Sequence, residues 1–242
     1  VGRTEDEAVR AEMQSMIHRC PSGALSYRPS EDAEADEPDY PVRIAVVNDS
    51  SYWVTGSVPV GKHILELAAR GVKRVSMELG GHAPVIVHAD VDPVATARKL
   101  AATKFRNCGQ VCISPSRFYV HETIRPAFEA AFADVARGLV VGDGLQDGVN
   151  MGPMIRERAL DQAFTLIEDA RAKGARLLTG GQRPAGLNAG HFIEPTVLTD
   201  VPDDAMIMRD EPFAPIAPIA GFTDLEEVLA RANGTPFGLA AY

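Results

Sequence analysis

The chain has 242 residues, 45% of them hydrophobic and 24% charged, an ordinary globular composition with enough apolar residues for a sizeable core. Its 33 acidic residues outweigh 24 basic ones, for a net charge of −9, which disfavours general binding to a phosphate backbone. Three cysteines, Cys20, Cys108 and Cys112, are too few for a disulfide framework or a four-cysteine metal site, so no metal is expected and a reducing, cytoplasmic setting is.

Thr4 and Glu7 form a capping-box pattern before Val9, Met13, Met16 and Ile17, which predicts a helix over 5–18. Glu5, Asp6 and Glu7 stand where a signal peptide would carry its apolar core. No stretch approaches the ~20 apolar residues of a membrane span, so no membrane partner is expected. Glu31, Asp32, Glu34, Asp36, Glu37 and Asp39 crowd together, and such a self-repelling run reads as a linker. A short strand follows over 43–47. Beyond residue 50 strands and helices alternate: strand 53–55, helix 59–70 stopped by Gly71, strands 75–79 and 84–87, and a helix over 93–106 capped by Asp92. Then come strand 117–120, helices 124–137 and 160–172, strand 176–178 and helix 224–232. This alternation predicts an α/β fold with a parallel or mixed sheet. The apolar run Phe237-Gly238-Leu239-Ala240-Ala241-Tyr242 stops without a cap, as if in mid-fold.

Four segments carry candidate chemistry. In Asn107-Cys108-Gly109-Gln110-Val111-Cys112 a glycine and an amide precede a cysteine, a pattern suited to a tight turn that presents a thiol; the bland alternative is a small buried hydrophobe. Glu78 lies between Met77 and Leu79 ahead of Gly80-Gly81. Buried there it would gain the raised pKa of a general base; pointing outward it would be an ordinary strand-end glutamate. Thr55-Gly56-Ser57 before a helix can offer backbone N–H groups to an anion. Glu211-Pro212-Phe213-Ala214-Pro215 places a carboxylate and a ring on a proline-stiffened turn, where they could hold sugar hydroxyls and a flat cofactor, or form a plain surface loop.

In this order the four segments resemble the TGS, ELGG, GQxC and ExFGP signatures of the aldehyde dehydrogenase superfamily. Gly152-Pro153-Met154-Ile155, the segment from Gly190 to Thr196, and Pro236-Phe237-Gly238-Leu239 add to the likeness, which covers residues 50–242. The resemblance implies a partial cofactor-binding domain over 50–82 and a catalytic α/β domain over 83–242. It implies NAD or NADP as cofactor and a small-molecule aldehyde, such as a semialdehyde, as substrate. Cys112 would attack the aldehyde carbonyl to give a thiohemiacetal, hydride transfer to the nicotinamide would leave a thioester, and Glu78 would activate the hydrolytic water. Gly56 and Ser57 would lie by the cofactor phosphates and Leu79 and Gly80 by the nicotinamide. Glu211 would hold the ribose, with Phe213 alongside. Homo-oligomers are expected of the intact family. The pattern is departed from where the family's oxyanion asparagine and ribose-contacting lysine segments have no counterpart, and where Ala214 replaces a glycine. These departures leave two alternatives: an inactive binding or interaction module, and a residual thiol esterase. Arg117 reads either as a carboxylate anchor for semialdehydes or as a structural arginine. Cys108 reads as a core filler or as a redox partner of Cys112. Residues 1–30 resemble, around Cys20-Pro21, the tail of a divergent four-iron ferredoxin-type domain with only one ligating cysteine, and 31–49 reads as an acidic linker and short strand.

Overall fold

The computed structural model describes residues 25–26, 42–45, 52–56 and 58–242. The expected helix over 5–18, the Cys20 segment, the acidic linker and Ser57 lie outside the described residues. The chain divides between Gly80 and Gly81 into two units.

In the first unit, β1 (Leu25–Ser26), β2 (Val42–Ala45), β3 (Tyr52–Gly56) and β4 (Val75–Leu79) form a sheet in chain order. β1 runs parallel to β2, β3 antiparallel to β2, and β4 parallel to β3. The parallel β3–β4 pair is connected by helix α1 (Val58–Arg70), as a parallel crossover requires. Gly61 on α1 is pressed against Leu79, and a Cβ there would come within 2.7 Å of the leucine methyls. The chain leaves α1 through Val72, not Gly71, in the left-handed conformation (φ 52°). Val72 is almost fully exposed, so its side chain meets no crowding there.

In the second unit five strands are ordered β5-β6-β9-β8-β7: β5 (Ala83–Val87), β6 (Pro115–His121), β7 (Arg176–Thr179), β8 (Thr196–Thr199) and β9 (Ile216–Phe222). β5, β6, β9 and β8 are parallel, and β7 closes the edge antiparallel. β8 and β9 were not among the expected strands. Pro218 and Gly221 interrupt the run of β9, and proline in a central strand ordinarily argues against one. Here Pro218 pairs with Leu198 inside the sheet.

The helices are α2 (Pro93–Phe105), α3 (Arg125–Gly138), α4 (Glu157–Ala172) and α5 (Leu225–Asn233). Asp92 caps α2 by accepting from the backbone N–H of Val94 and Ala95 at 2.9 and 3.1 Å, with Pro93 preset for the first turn. Its buried face is Ala97, Ala101, Lys104 and Phe105. The alanines let α2 sit close, and Phe105 and Phe118 meet Phe132 of α3 edge to face, with centroids 5.8 and 5.1 Å apart. α4 starts earlier than the apolar periodicity indicated, because Glu157 adds an acid to its first turn. No helix among the described residues is long and apolar enough to cross a membrane.

Candidate active site

Because β5, β6 and β9 are parallel neighbours, the segments that lead into them converge at one end of the sheet. These segments are Gly81-His82 before β5, Gly109–Ser114 before β6 and Glu211–Pro215 before β9. The topology therefore joins three motifs that are far apart in sequence.

The thiol loop is tightly built. After α2, Asn107, Cys108 and Gly109 adopt left-handed conformations in succession (φ 51°, 57° and 69°), a run that costs about 1–2 kcal/mol at each non-glycine position. Three sets of contacts hold it. The Gln110 side-chain amide donates to the carbonyls of Asn107 (3.2 Å) and Pro153 (3.3 Å), and its Oε1 accepts from the N–H of Ile155 at 2.8 Å. The Asn107 amide donates back to the Gln110 carbonyl at 3.0 Å. Gly109 abuts the backbone of Ala214 and Pro215. The chain then turns at Val111–Ser114 into β6, with Cys112 half-buried on that turn.

Gly81 joins the thiol loop to the carboxylate. A Cβ on it would lie 2.7 Å from the carbonyl oxygen of Cys112, and its N–H donates to Glu211 Oε1 at 3.2 Å. Glu211 is half-buried, and burial pushes its pKa up to about 7 against the opposing pull of the Gly81 N–H and Lys104. Phe213, with an unusual positive φ of 39°, leaves 42% of its surface exposed beside it. Gly81, Lys104, Gly109, Ser114, Glu211 and Phe213 line a narrow crevice.

Cys108 points the other way. It is buried, its thiol donates to Met154 Sδ at 3.6 Å, and burial pushes its pKa up to about 12. Both described cysteines are free thiols. Cys108 is thus a core filler in this structure.

The remaining expected site residues lie in the first unit. Gly56 ends β3 opposite Leu79 of β4, and Thr55 lies opposite Glu78. Glu78 is exposed, Leu79 and Gly80 half-buried. Ser57 falls outside the described residues. Among the described residues no group of three or more His, Cys, Asp or Glu side chains is arranged to hold a metal ion.

Arg117 is structural. It is 1% exposed, and its guanidinium donates twice to the His82 carbonyl (3.1 and 2.9 Å) and to the carbonyls of Ala232 (2.9 Å) and Arg231 (3.3 Å). These contacts commit it to backbone, which leaves no role as a carboxylate anchor.

Residues 50–242 match the aldehyde dehydrogenase family. The chain is 45% identical over 188 residues to the non-phosphorylating aspartate-semialdehyde dehydrogenase of Halomonas elongata, covering 78% of this chain and 38% of that protein. It is 43% identical to the NADP(+) succinate-semialdehyde dehydrogenase of Escherichia coli, covering 78% and 39%. In structure it is similar to succinate-semialdehyde dehydrogenase from Burkholderia pseudomallei, with a TM-score of 0.75 and 44% identity over 78% of this chain and 39% of that one. A 3,6-anhydro-L-galactose dehydrogenase in complex with NAP is likewise similar, with a TM-score of 0.74 and 37% identity over 78% and 40%. The chain belongs to the aldehyde dehydrogenase family, with the α/β fold of those structures. It spans about two-fifths of the length of these relatives. The match begins at residue 50, so the ferredoxin-type resemblance around Cys20 draws no support from it.

Two residues at this end of the sheet, His82 and Lys104, had no part in the sequence reading of the site, and a third entered it only in passing. Gly81 was only the second glycine of a motif. His82 is buried, with Nε2 donating to the Ile207 carbonyl at 3.0 Å and Nδ1 accepting from Ser116 Oγ at 2.8 Å. Lys104 is fully buried, and its Nζ has no hydrogen-bond partner among the described residues. The helical spacing Ala97, Ala101, Lys104 and Phe105 already put this lysine on the inner face of α2.

Proposed function

We propose that the protein oxidises an aldehyde to a carboxylic acid with NAD+ or NADP+, Cys112 acting as nucleophile and Glu78 as the base for hydrolysis. The observation that carries this reading is the convergence of the Cys112 loop and Glu211 on Gly81 at one end of the sheet. A strained loop tied at three points holds a half-buried thiol in one place, which is what attack on a carbonyl carbon requires. The sulfur adds to the aldehyde to give a thiohemiacetal, and after oxidation a thioester remains for water to cleave.

The residues present suit a dinucleotide. Glu211 keeps Oε2 free of the Gly81 hydrogen bond for ribose hydroxyls, Phe213 offers an exposed ring face, and Gly56 ends a strand just before α1, where helix N–H groups favour phosphate. When bound, the nicotinamide supplies the hydride acceptor. Leu79, Gly80 and Ser57 complete the expected set.

A semialdehyde is the substrate class favoured by the names of two of the curated relatives, both dehydrogenases. Assembly into homo-oligomers and residence in the cytoplasm belong to the same proposal and rest on the family resemblance. The test is reduced-nucleotide absorbance with a panel of aldehydes and semialdehydes and either nucleotide. Turnover abolished by Cys112→Ala and lowered by Glu78→Gln and Glu211→Gln is expected. Turnover indifferent to Cys112→Ala would overturn the assignment.

A further inference from the structure

We propose that Lys104 is a positioning residue for Glu211: its buried ammonium, lining the same crevice, keeps the carboxylate ionised and ready to accept ribose hydroxyls. The proposal rests on the reading of Glu211 as a nucleotide ligand.

An amine enclosed in protein without a hydrogen-bond acceptor is costly, and in a core position methionine or leucine would fill the volume without that penalty. Lys104 is nonetheless fully buried, its Nζ unpartnered. Its neighbours on α2's inner face, Ala97, Ala101 and Phe105, are all apolar. Lys104 lines the same crevice as Glu211 and Gly81.

The ionisable surroundings are few. Glu211, on the segment before β9, is the carboxylate that favours the charged lysine, whereas Cys108, on the turn after α2, is pushed by burial up to about 12 and is a neutral thiol near pH 7. His82, before β5, feels Lys104 and Arg117 of β6 as positive neighbours, and burial holds its pKa down to about 3, so it adds no charge near neutrality. Burial lowers Lys104 to about 7, with Glu211 opposing. For both groups burial is the larger influence, and the partner's charge opposes it. One Glu211 oxygen is fixed by the Gly81 N–H. The lysine adds the field that keeps the carboxylate an acceptor, and no substrate atom needs to touch it.

The test follows the carboxyl itself. Protein labelled with 13C-carboxyl glutamate is titrated by NMR without nucleotide, Glu211→Gln identifying the resonance. Lys104→Met is expected to move the Glu211 midpoint up by about one pH unit or more, and Lys104→Arg to hold it near the wild-type value. In the reciprocal variant Glu211→Gln, the Lys104 amine, followed in 13C-lysine protein, is expected to titrate lower. Unmoved midpoints in both experiments would overturn the proposal.

Nucleotide affinity across pH supplies the second readout. Lys104→Met is expected to weaken binding about fivefold or more at pH 7 and to recover toward wild type at pH 9. A loss equal at all pH values would mark a merely structural lysine and overturn the proposal. Wild type and Glu211→Gln binding nucleotide equally well at every pH would instead sink the reading of Glu211 as a ligand. The carboxyl titration would still report the coupling of the pair.

Discussion

Gly109 lies directly against Ala214: a Cβ on Gly109 would stand 2.6 Å from the Ala214 carbonyl carbon and 3.0 Å from the nitrogen of Pro215. The thiol loop and the Glu211–Pro215 segment are therefore stacked backbone on backbone. No side chain can be inserted between them without parting Cys112 from Glu211. Ala214 carries its own methyl inside the core, fully buried, so the close approach depends on the glycine of the thiol loop.

Gly109→Ala is accordingly expected to cost about 2–4 kcal/mol, combining the clash with backbone and a residue forced to a φ of 69°. Thermal melting gives the first measure. Alkylation of Cys112 gives the second, and a changed rate is expected even at temperatures where the variant is folded. A variant as stable as wild type with an unchanged labelling rate would show that the two segments can separate freely.

Gln110 tests the loop from its other side. Its amide contacts the carbonyls of Asn107 and Pro153, and its oxygen takes the Ile155 N–H. Gln110→Ala removes all three and leaves the left-handed run at Asn107 and Cys108 with less to hold it. The expected loss is about 1–3 kcal/mol of stability, the range for unmaking a few partly exposed hydrogen bonds. Turnover should fall by more than the fraction unfolded explains. Gln110→Glu keeps the acceptor for Ile155 but cannot donate to Pro153, so it should fall between wild type and alanine in both measurements.

Much of the fold was legible because period and punctuation agreed. Asp92-Pro93 marked the start of α2, and the β5, β6 and α3 segments carried apolar residues at the expected spacing. β9 was not legible, since Pro218 and Gly221 are signs of a break and only the neighbouring strands β6 and β8 override them. The thiol loop and the Glu211 segment were visible as motifs. Their meeting was not, because the approach of Gly81 to Cys112 and Glu211 follows from parallel pairing of β5, β6 and β9, which sequence spacing does not encode. Lys104 was visible in principle as a charge on a helix's apolar face, yet its environment depends on the segment before β9. Arg117 shows the reverse: one sequence reading gave it a substrate, and the structure gives it the His82, Arg231 and Ala232 carbonyls.

Those carbonyls make Arg117 a stability residue. Its planar fork also reaches Tyr119 Oη at 3.4 Å, and the Tyr119 ring is faced by Arg231 with 4.9 Å between guanidinium carbon and ring centroid. Arg117→Met is expected to cost roughly 3–5 kcal/mol, since three backbone acceptors lose a donor in a site closed to solvent. Arg117→Lys should recover only part, because one ammonium cannot reach acceptors on both sides of the fork. Chemical denaturation checks the order wild type, lysine, methionine. Because Arg117 touches no substrate in this reading, the KM for a semialdehyde should stay within about twofold in any folded fraction, whereas a carboxylate anchor would shift it by about tenfold or more.

His82 and Glu211 predict an unusual acid limb in the stability curve. Burial first, then the positive charges of Arg117 and Lys104, hold the His82 pKa at about 3 against 6.5 for the free side chain. Between those values the unfolded chain binds the extra proton, so His82 makes stability fall as pH drops from about 6.5 toward 3. Glu211 has the opposite sign. Its folded pKa of about 7 exceeds the 4.5 of the free side chain, so the folded state binds the extra proton and stability falls as pH rises from 4.5 to 7. Each group alone gives a slope of about 1.4 kcal/mol per pH unit, and from 4.5 to 6.5 the two slopes oppose. Wild-type stability is therefore expected to be nearly flat across that window. In Glu211→Gln the glutamate's opposing slope is gone, and urea midpoints measured at half-unit steps should decline continuously below pH 6.5. A Glu211→Gln curve as flat as the wild type would show that His82 accepts its proton in the folded protein near the ordinary pKa. Burial and the positive charges of Arg117 and Lys104 would then not be holding it neutral.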